Sequence, residues 1–199
     1  MTPKELTYCK LTNDSCSIKG KTWSNSDNLP VQEWMKFLFT GLEIDYPKFY
    51  KMDGLSKLGL LGVEFLRKST DLPTDCDNVA LVFVNKFSSL DADLSHQELI
   101  EKTTASPAIF VYTLPNIVLG ELSIRNKWYG EQQFFIKNEW PGELIHKYIV
   151  TIFDLAKADT IVIGSADYFK GEANGKWVVL TKEQYAQEHI RNEMNTFFE

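Results

Sequence analysis

Residues 79–84 read Val-Ala-Leu-Val-Phe-Val, six apolar side chains in a row with no polar residue among them. Successive side chains of a strand point to opposite faces, so a run without alternation requires apolar packing on both sides. Thr160-Ile-Val-Ile163 repeats the pattern. Segments with helical spacing stand on either side of these two strands. In Asp53–Lys68 the residues Leu55, Leu58, Leu61, Gly62, Phe65 and Leu66 fall on one wide stripe, with Asp53 as N-cap and Arg67 and Lys68 at the C-terminal end of the helix dipole. Its small Gly59 and Gly62 leave room for another helix to approach. Pro141 opens a second helix, in which Leu144, Ile145, Tyr148, Ile149, Ile152 and Phe153 recur at steps of three and four. Leu114–Lys127 has the same spacing through Ile117, Val118, Leu122 and Ile124.

The remaining segments carry weaker signals. Leu6–Leu11 and Cys16–Lys19 are β-prone, and Trp34, Phe37 and Leu38 lie at helical spacing. Residues 95–102 suit a short helix capped by Ser95, and residues 106–113 are apolar and extended. Phe134–Ile136 and Gly175–Leu180 are short strands, and Lys182–Phe198 is a polar terminal helix. Buried strands alternating with helices predict right-handed crossovers and an α/β layered domain. The sheet is expected to be mixed and mainly parallel, with helices on both faces. No repeat, linker or low-complexity tract divides residues 1–199, so one domain is expected.

A chain of 199 residues with 44% hydrophobic and 24% charged residues has the composition of a globular domain with a core. Its net charge of −6 is the wrong sign for binding nucleic acid through phosphates. The apolar runs are far shorter than the roughly 20 residues of a membrane span, and Met1-Thr-Pro-Lys-Glu-Leu lacks the apolar core of a leader. Cys9, Cys16 and Cys76, an odd number without metal-ligand spacing, fit free thiols in the cytoplasm.

Tests for chemistry are mostly negative. Phosphate-cradling GxxxxGK[ST] and GxGxxG loops are missing, as is a GxSxG elbow. His96, His146 and His189 are isolated, and Asp71, Asp75, Asp77, Asp91 and Asp93 lack calcium-loop spacing, so they read as surface imidazoles and solvated carboxylates. Gly164-Ser165-Ala-Asp167 reads as a turn at a strand end. No metal and no cofactor is expected.

One stretch is more specific. Ser106-Pro, then Asn116 and a helix bearing Gly120, then Trp128-Tyr-Gly-Glu-Gln-Gln-Phe-Phe-Ile-Lys-Asn-Glu139, then Ala158-Asp-Thr-Ile-Val-Ile-Gly164-Ser, resemble the N-terminal half of the β-ketoacyl-acyl-carrier-protein synthases of the thiolase-like superfamily. In that family a Ser-Pro segment leads through an Asn and a small-residue helix to a Gly-Pro strand. That strand ends in an elbow bearing the nucleophilic cysteine, and a helix and an Ala-Asp-led strand closing on Gly-Gly follow. The resemblance covers about three quarters of the chain and leaves residues 1–50 poorly matched. With Gly130 and Gly164 aligned, Glu131 replaces the family's Pro, Ser165 its second Gly, and Glu139 its cysteine.

The resemblance implies a thiolase-like layered fold, a single half of the family's length, with Asn116 and Gly164 at motif positions that bind substrate in the family. Condensation requires a thiolate at the elbow and histidines from the family's second half. This sequence supplies neither, so no condensing activity of the chain by itself is expected. A Glu139 buried at the elbow is raised in pKa by desolvation and lowered by the helix N-terminus; it would cap the helix after Pro141 or act on an acyl thioester as hydrolase or decarboxylase. Type II polyketide and aryl-polyene pathways use cysteine-less chain-length-factor subunits that pair with an active synthase, which makes a non-condensing partner role in fatty-acid, polyketide or aryl-polyene synthesis the leading expectation. In the family the strand ahead of the elbow pairs antiparallel across a two-fold axis. Here that strand holds Phe134, Phe135 and Ile136, so a dimer with itself or with a full-length β-ketoacyl synthase is expected through them, with an acyl carrier protein as a further partner.

Overall fold

The computed structural model describes residues 5–102 and 106–199. The first four residues, part of the stretch in which a leader was sought, lie outside them. In chain order the elements are β1 (Thr7–Thr12), β2 (Ser15–Ile18), β3 (Lys21–Ser24), α1 (Val31–Gly41), a 3-10 turn (Pro47–Lys51), α2 (Gly54–Ser69), β4 (Val79–Asn85) and α3 (Leu90–Glu101). There follow α4 (Pro107–Phe110) running into a 3-10 turn (Val111–Thr113), α5 (Ile117–Asn126), β5 (Gln132–Ile136), α6 (Gly142–Asp154), β6 (Thr160–Phe169), β7 (Glu172–Thr181), α7 (Lys182–Tyr185) and α8 (Glu188–Phe198). The seven strands form one sheet in the order β3-β2-β1-β7-β6-β4-β5.

The unbroken apolar run of β4 is buried along its whole length, and its two sets of side chains enter two separate cores. Val79, Leu81 and Phe83 pack with α1, α2 and α5, whereas Ala80, Val82 and Val84 pack with α6, α7 and α8. Helices therefore cover both faces, and the sheet is mixed. Its parallel share is smaller than the strand-helix alternation suggests: β4 runs parallel to β5 and β6, and the other four pairings are antiparallel. The reason lies in local turns. Lys170 and Gly171, at φ 49° and 77°, close a two-residue hairpin between β6 and β7, the left-handed pair that such a turn needs. Gly164–Asp167 consequently lies inside a ten-residue strand, not in a turn.

The weakly patterned N-terminal region belongs to the same sheet, since β1 pairs with β7 over six residues. Asp53 caps α2 as expected, its carboxylate accepting from Ser56 N at 3.0 Å. Gly59 admits Val118 of the neighbouring helix α5, but Gly62 faces the indole of Trp177 in the sheet.

Two segments differ from expectation. Helix α3 starts at Leu90, with Ser89 and not Ser95 before it. The side chain of Asn85 both accepts from Ser88 N and donates to Ser88 O, with Ser88 at φ 53°, so the chain turns at once into the helix. Asp91 and Asp93 then sit in the first turn, where the dipole favours them. Residues 106–113 are helical, not extended. Pro107 holds the first helical position with its φ preset, and Ser106 O accepts from Ile109 N and Phe110 N. The terminal helix is broken at Ala186–Gln187, and α7 begins with a capping box between Thr181 and Gln184.

Candidate functional site

Strand β5 leaves the sheet beside the end of β4, tied there by Lys137 N donating to Asn85 O at 2.8 Å. Residues 137–141 then turn into α6. Trp140 fixes this elbow: its indole stacks on Phe198 of α8 at 4.1 Å, and its Nε1 donates to Asn195 Oδ1 at 3.3 Å. Because Trp140 takes the inward position, Glu139 before it is turned out and exposed. The buried elbow carboxylate expected from the sequence is thus an open one, and no side chain caps the start of α6.

A cleft of about 490 Å³ opens at the elbow, lined among others by Asn85, Lys86, Lys137, Glu139, Ser165 and Asp167. It lies beyond the C-terminal ends of the parallel strands β4 and β5, the usual position for ligands in such sheets. Asp167 is already engaged, accepting from Lys86 N at 2.7 Å and Phe87 N at 3.3 Å. No cysteine lines the cleft. Cys9 and Cys16 are buried in the core of the opposite face, and burial, with the Cys16 thiol alongside, pushes the Cys9 thiol well above its ordinary pKa. Cys76 forms an isolated bridge with Trp128. None of the three cysteines therefore lies at the elbow.

The other family-motif positions lie elsewhere. Asn116 is exposed ahead of α5 without a capping bond, in a groove of about 390 Å³ shared with Leu119, Gln132, Phe134 and Ile136. Gly164 is buried in β6, where a Cβ would stand 2.6 Å from Trp177 Cδ1 and 2.9 Å from Phe83 Cε1. The fold does not bring Glu139, Asn116 and Gly164 into one site. Asn85, Trp140 and Asp167 were missed as elbow residues; the signal present for Asn85 was its place at the end of the first buried strand.

Strand β5 is an edge of the sheet, paired on one side only. Phe134 packs toward the α2 core, Phe135 toward the α6 core with its ring edge-on to Tyr148 at 5.7 Å, and Ile136 is 52% exposed. The opposite edge, β3, is four residues long and presents Lys21, Thr22 and Ser24 beside Trp23, whose ring packs on Phe65; its shortness and its lysine discourage pairing. Among the described residues no single helix is long and apolar enough to cross a membrane, and no group of His, Cys, Asp and Glu could hold a metal ion.

No family model and no curated protein matches the chain. Solved structures do. The ishigamide ketosynthase/chain length factor superposes with a TM-score of 0.63 at 14% identity, over 92% of this chain and 63% of that one. The ketosynthase ApeO in complex with its chain length factor ApeC from Xenorhabdus doucetiae gives 0.57 at 11% identity, over 89% and 78%. AntDE:AntF, a type II polyketide acyl-carrier protein in complex with its ketosynthase, gives 0.60 at 12%, over 92% and 64%. The chain thus spans less than two thirds of the first of these. The mixed sheet with helices on both faces is the fold of these ketosynthase and chain-length-factor structures.

Proposed function

We propose that this chain is a non-condensing partner subunit of a β-ketoacyl synthase, held to it through β5 and shaping the acyl-chain tunnel in polyketide, aryl-polyene or fatty-acid synthesis. The observation that carries the proposal is the unpaired β5 edge, whose Phe134 and Phe135 anchor it in both cores while Ile136 stays exposed beside the elbow. An apolar edge strand of this kind is a template for another strand. The elbow sequence Lys137-Asn-Glu-Trp-Pro141 offers no thiol to carry an acyl group. The similar solved structures include a ketosynthase with its chain length factor and a ketosynthase with its acyl-carrier protein, and the same classes of partner are proposed here, in the cytoplasm.

The test is affinity purification of the tagged chain from its host, with intact-mass identification of whatever co-purifies in stoichiometric amount. A full-length condensing enzyme is expected, and Ile136→Asp, at a position too exposed to unfold the monomer, is expected to lose it. Recovery of the chain only with itself would remove the partner role. The exposed Glu139 in its cleft keeps acyl-thioester hydrolysis or decarboxylation as the alternative. Equal turnover of an acyl-carrier-protein thioester by the native chain and Glu139→Gln is the expected result; a loss specific to Glu139→Gln favours that enzyme instead.

A further inference from the structure

At the far side of the sheet from β5, lysines gather without carboxylate ion-pair partners. Lys10 of β1 and Lys176 of β7 are direct cross-strand partners, a position in which like charges repel. Ser17 and Thr22 continue the same row into β2 and β3. The β2–β3 turn adds Lys19, the start of β3 adds Lys21, and the end of α2 adds Lys68. Among the described residues none of these lysines has a carboxylate at ion-pair distance, although acids outnumber bases in the chain, 27 to 21.

Their placement is only partly explained by the fold. Lys19 donates to Ser69 O, Lys68 to Leu42 O and Lys176 to Phe198 O, all carbonyls at or just beyond helix C-termini, where a cation offsets the dipole. Lys10 and Lys21 have no such partner. Burial, with the Lys10 charge beside it, holds the Lys176 ammonium below its ordinary pKa.

The surface is concave. A groove of about 900 Å³ runs along the end of α2, lined mostly by polar residues with Leu6, Leu72 and Val179 between them, and includes Lys19, Lys68 and Arg67, the last paired with Glu64. A second, of about 390 Å³, lies on the sheet face between Phe197 and the hairpin and includes Tyr8, Lys10, Lys19 and Lys21. The two share Leu6, Lys19 and Gly20. Glu5 and Asp71 border the wider groove and Glu193 lies beside Tyr8 of the smaller one, none of them in ion-pair contact with a lysine.

We infer that this lysine-rimmed surface docks an acidic segment of a partner protein. Lysines without carboxylate partners, Lys10 and Lys21 among them, around the Leu6, Tyr8, Ile18 and Phe197 side chains of the smaller groove match a peptide that carries both acidic and apolar side chains. A bilayer is too flat to reach these side chains, and a nucleic acid has no apolar side chains to place on them. Because the surface lies across the sheet from β5, both can be occupied at once, so the inference stands apart from the pairing proposed above.

The experiment is fluorescence anisotropy with the full chain and a fluorescein-labelled peptide of four Asp-Glu-Leu repeats, beside the same peptide with lysine at every acidic position. The acidic peptide is expected to bind, and to weaken as salt rises from about 50 mM to about 300 mM. The triple variant Lys10→Gln, Lys19→Asn, Lys21→Gln is expected to lose about tenfold in affinity, with asparagine chosen because residue 19 has φ 47°. Lys36→Gln with Lys147→Gln, exposed lysines elsewhere, is expected to change nothing; circular dichroism checks that every variant is folded. No binding at low salt, equal binding of the lysine peptide, or equal loss in the Lys36/Lys147 control overturns the inference. Tighter binding of a phosphatidylserine vesicle or a DNA oligonucleotide than of the acidic peptide overturns it as well.

Discussion

Glycine-to-alanine substitution in two helices is expected to change stability in opposite directions. The indole of Trp177 is fully buried in a slot walled by Gly62 of α2, Gly164 of β6 and Gly175 of β7. A Cβ at Gly62 would stand 2.2 Å from Trp177 Cδ2 and 2.4 Å from Cε2, more than an ångström inside ordinary contact. The indole has no room to retreat, because a Cβ at Gly175 would already stand 1.9 Å from its Cη2. Gly120 of α5 has nothing within 4 Å of the same position. Alanine gains about 1 kcal/mol over glycine in a helix interior, so Gly120→Ala is expected to stabilise by about that amount. Gly62→Ala has the same gain but overpacks the core, which costs about 1–3 kcal/mol and more where neighbours cannot move; with the indole held on its far side the upper end applies, and the net is a loss of about 2 kcal/mol. Urea unfolding followed by circular dichroism reads both, as opposite shifts of the midpoint at constant slope. A Gly62→Ala protein as stable as Gly120→Ala would refute the slot and, with it, the structural role assigned to Gly164.

Burial raises the pKa of Asp53, so between the unfolded value near about 4 and the raised folded value the native state holds more protons than the unfolded chain and stability falls as pH rises. Asp53→Asn keeps a side-chain oxygen for Ser56 N and removes the buried charge; it is expected to be more stable than the native chain at neutral pH, with the gap closing toward about pH 4. An equal gap in urea midpoint at both pH values would contradict this. Thr181→Ala removes one half of the capping box of α7 and is expected to lower stability by about 1 kcal/mol in the same assay; an unchanged midpoint would show that the cap is redundant.

Much of this was legible along the chain. Apolar runs with no alternation define β4 and β6 because a strand sandwiched between layers cannot tolerate a polar side chain on either face. Asp53 and the stripe behind it define α2, since capping and helical spacing are local properties. The extended reading of residues 106–113 failed because their apolar side chains look alike as strand or short helix, and Pro107 at the first helical position settles it. The late start predicted for α3 failed because the turn depends on side-chain bonds from Asn85, a residue just past the apolar run that marks the strand.

The amino-acid sequence by itself determined the two-faced core, the class of fold and the absence of a cysteine at the elbow, because burial pattern and residue identity are properties of the chain read in order. Only the tertiary structure decided what the candidate site is. Glu139 is exposed because Trp140 finds Phe198 and Asn195, more than fifty residues away. Gly164 serves Trp177 because β6 and β7 align Gly164 with it across the ladder. The lysines meet because strands distant in sequence become neighbours, a consequence of register that no local pattern encodes.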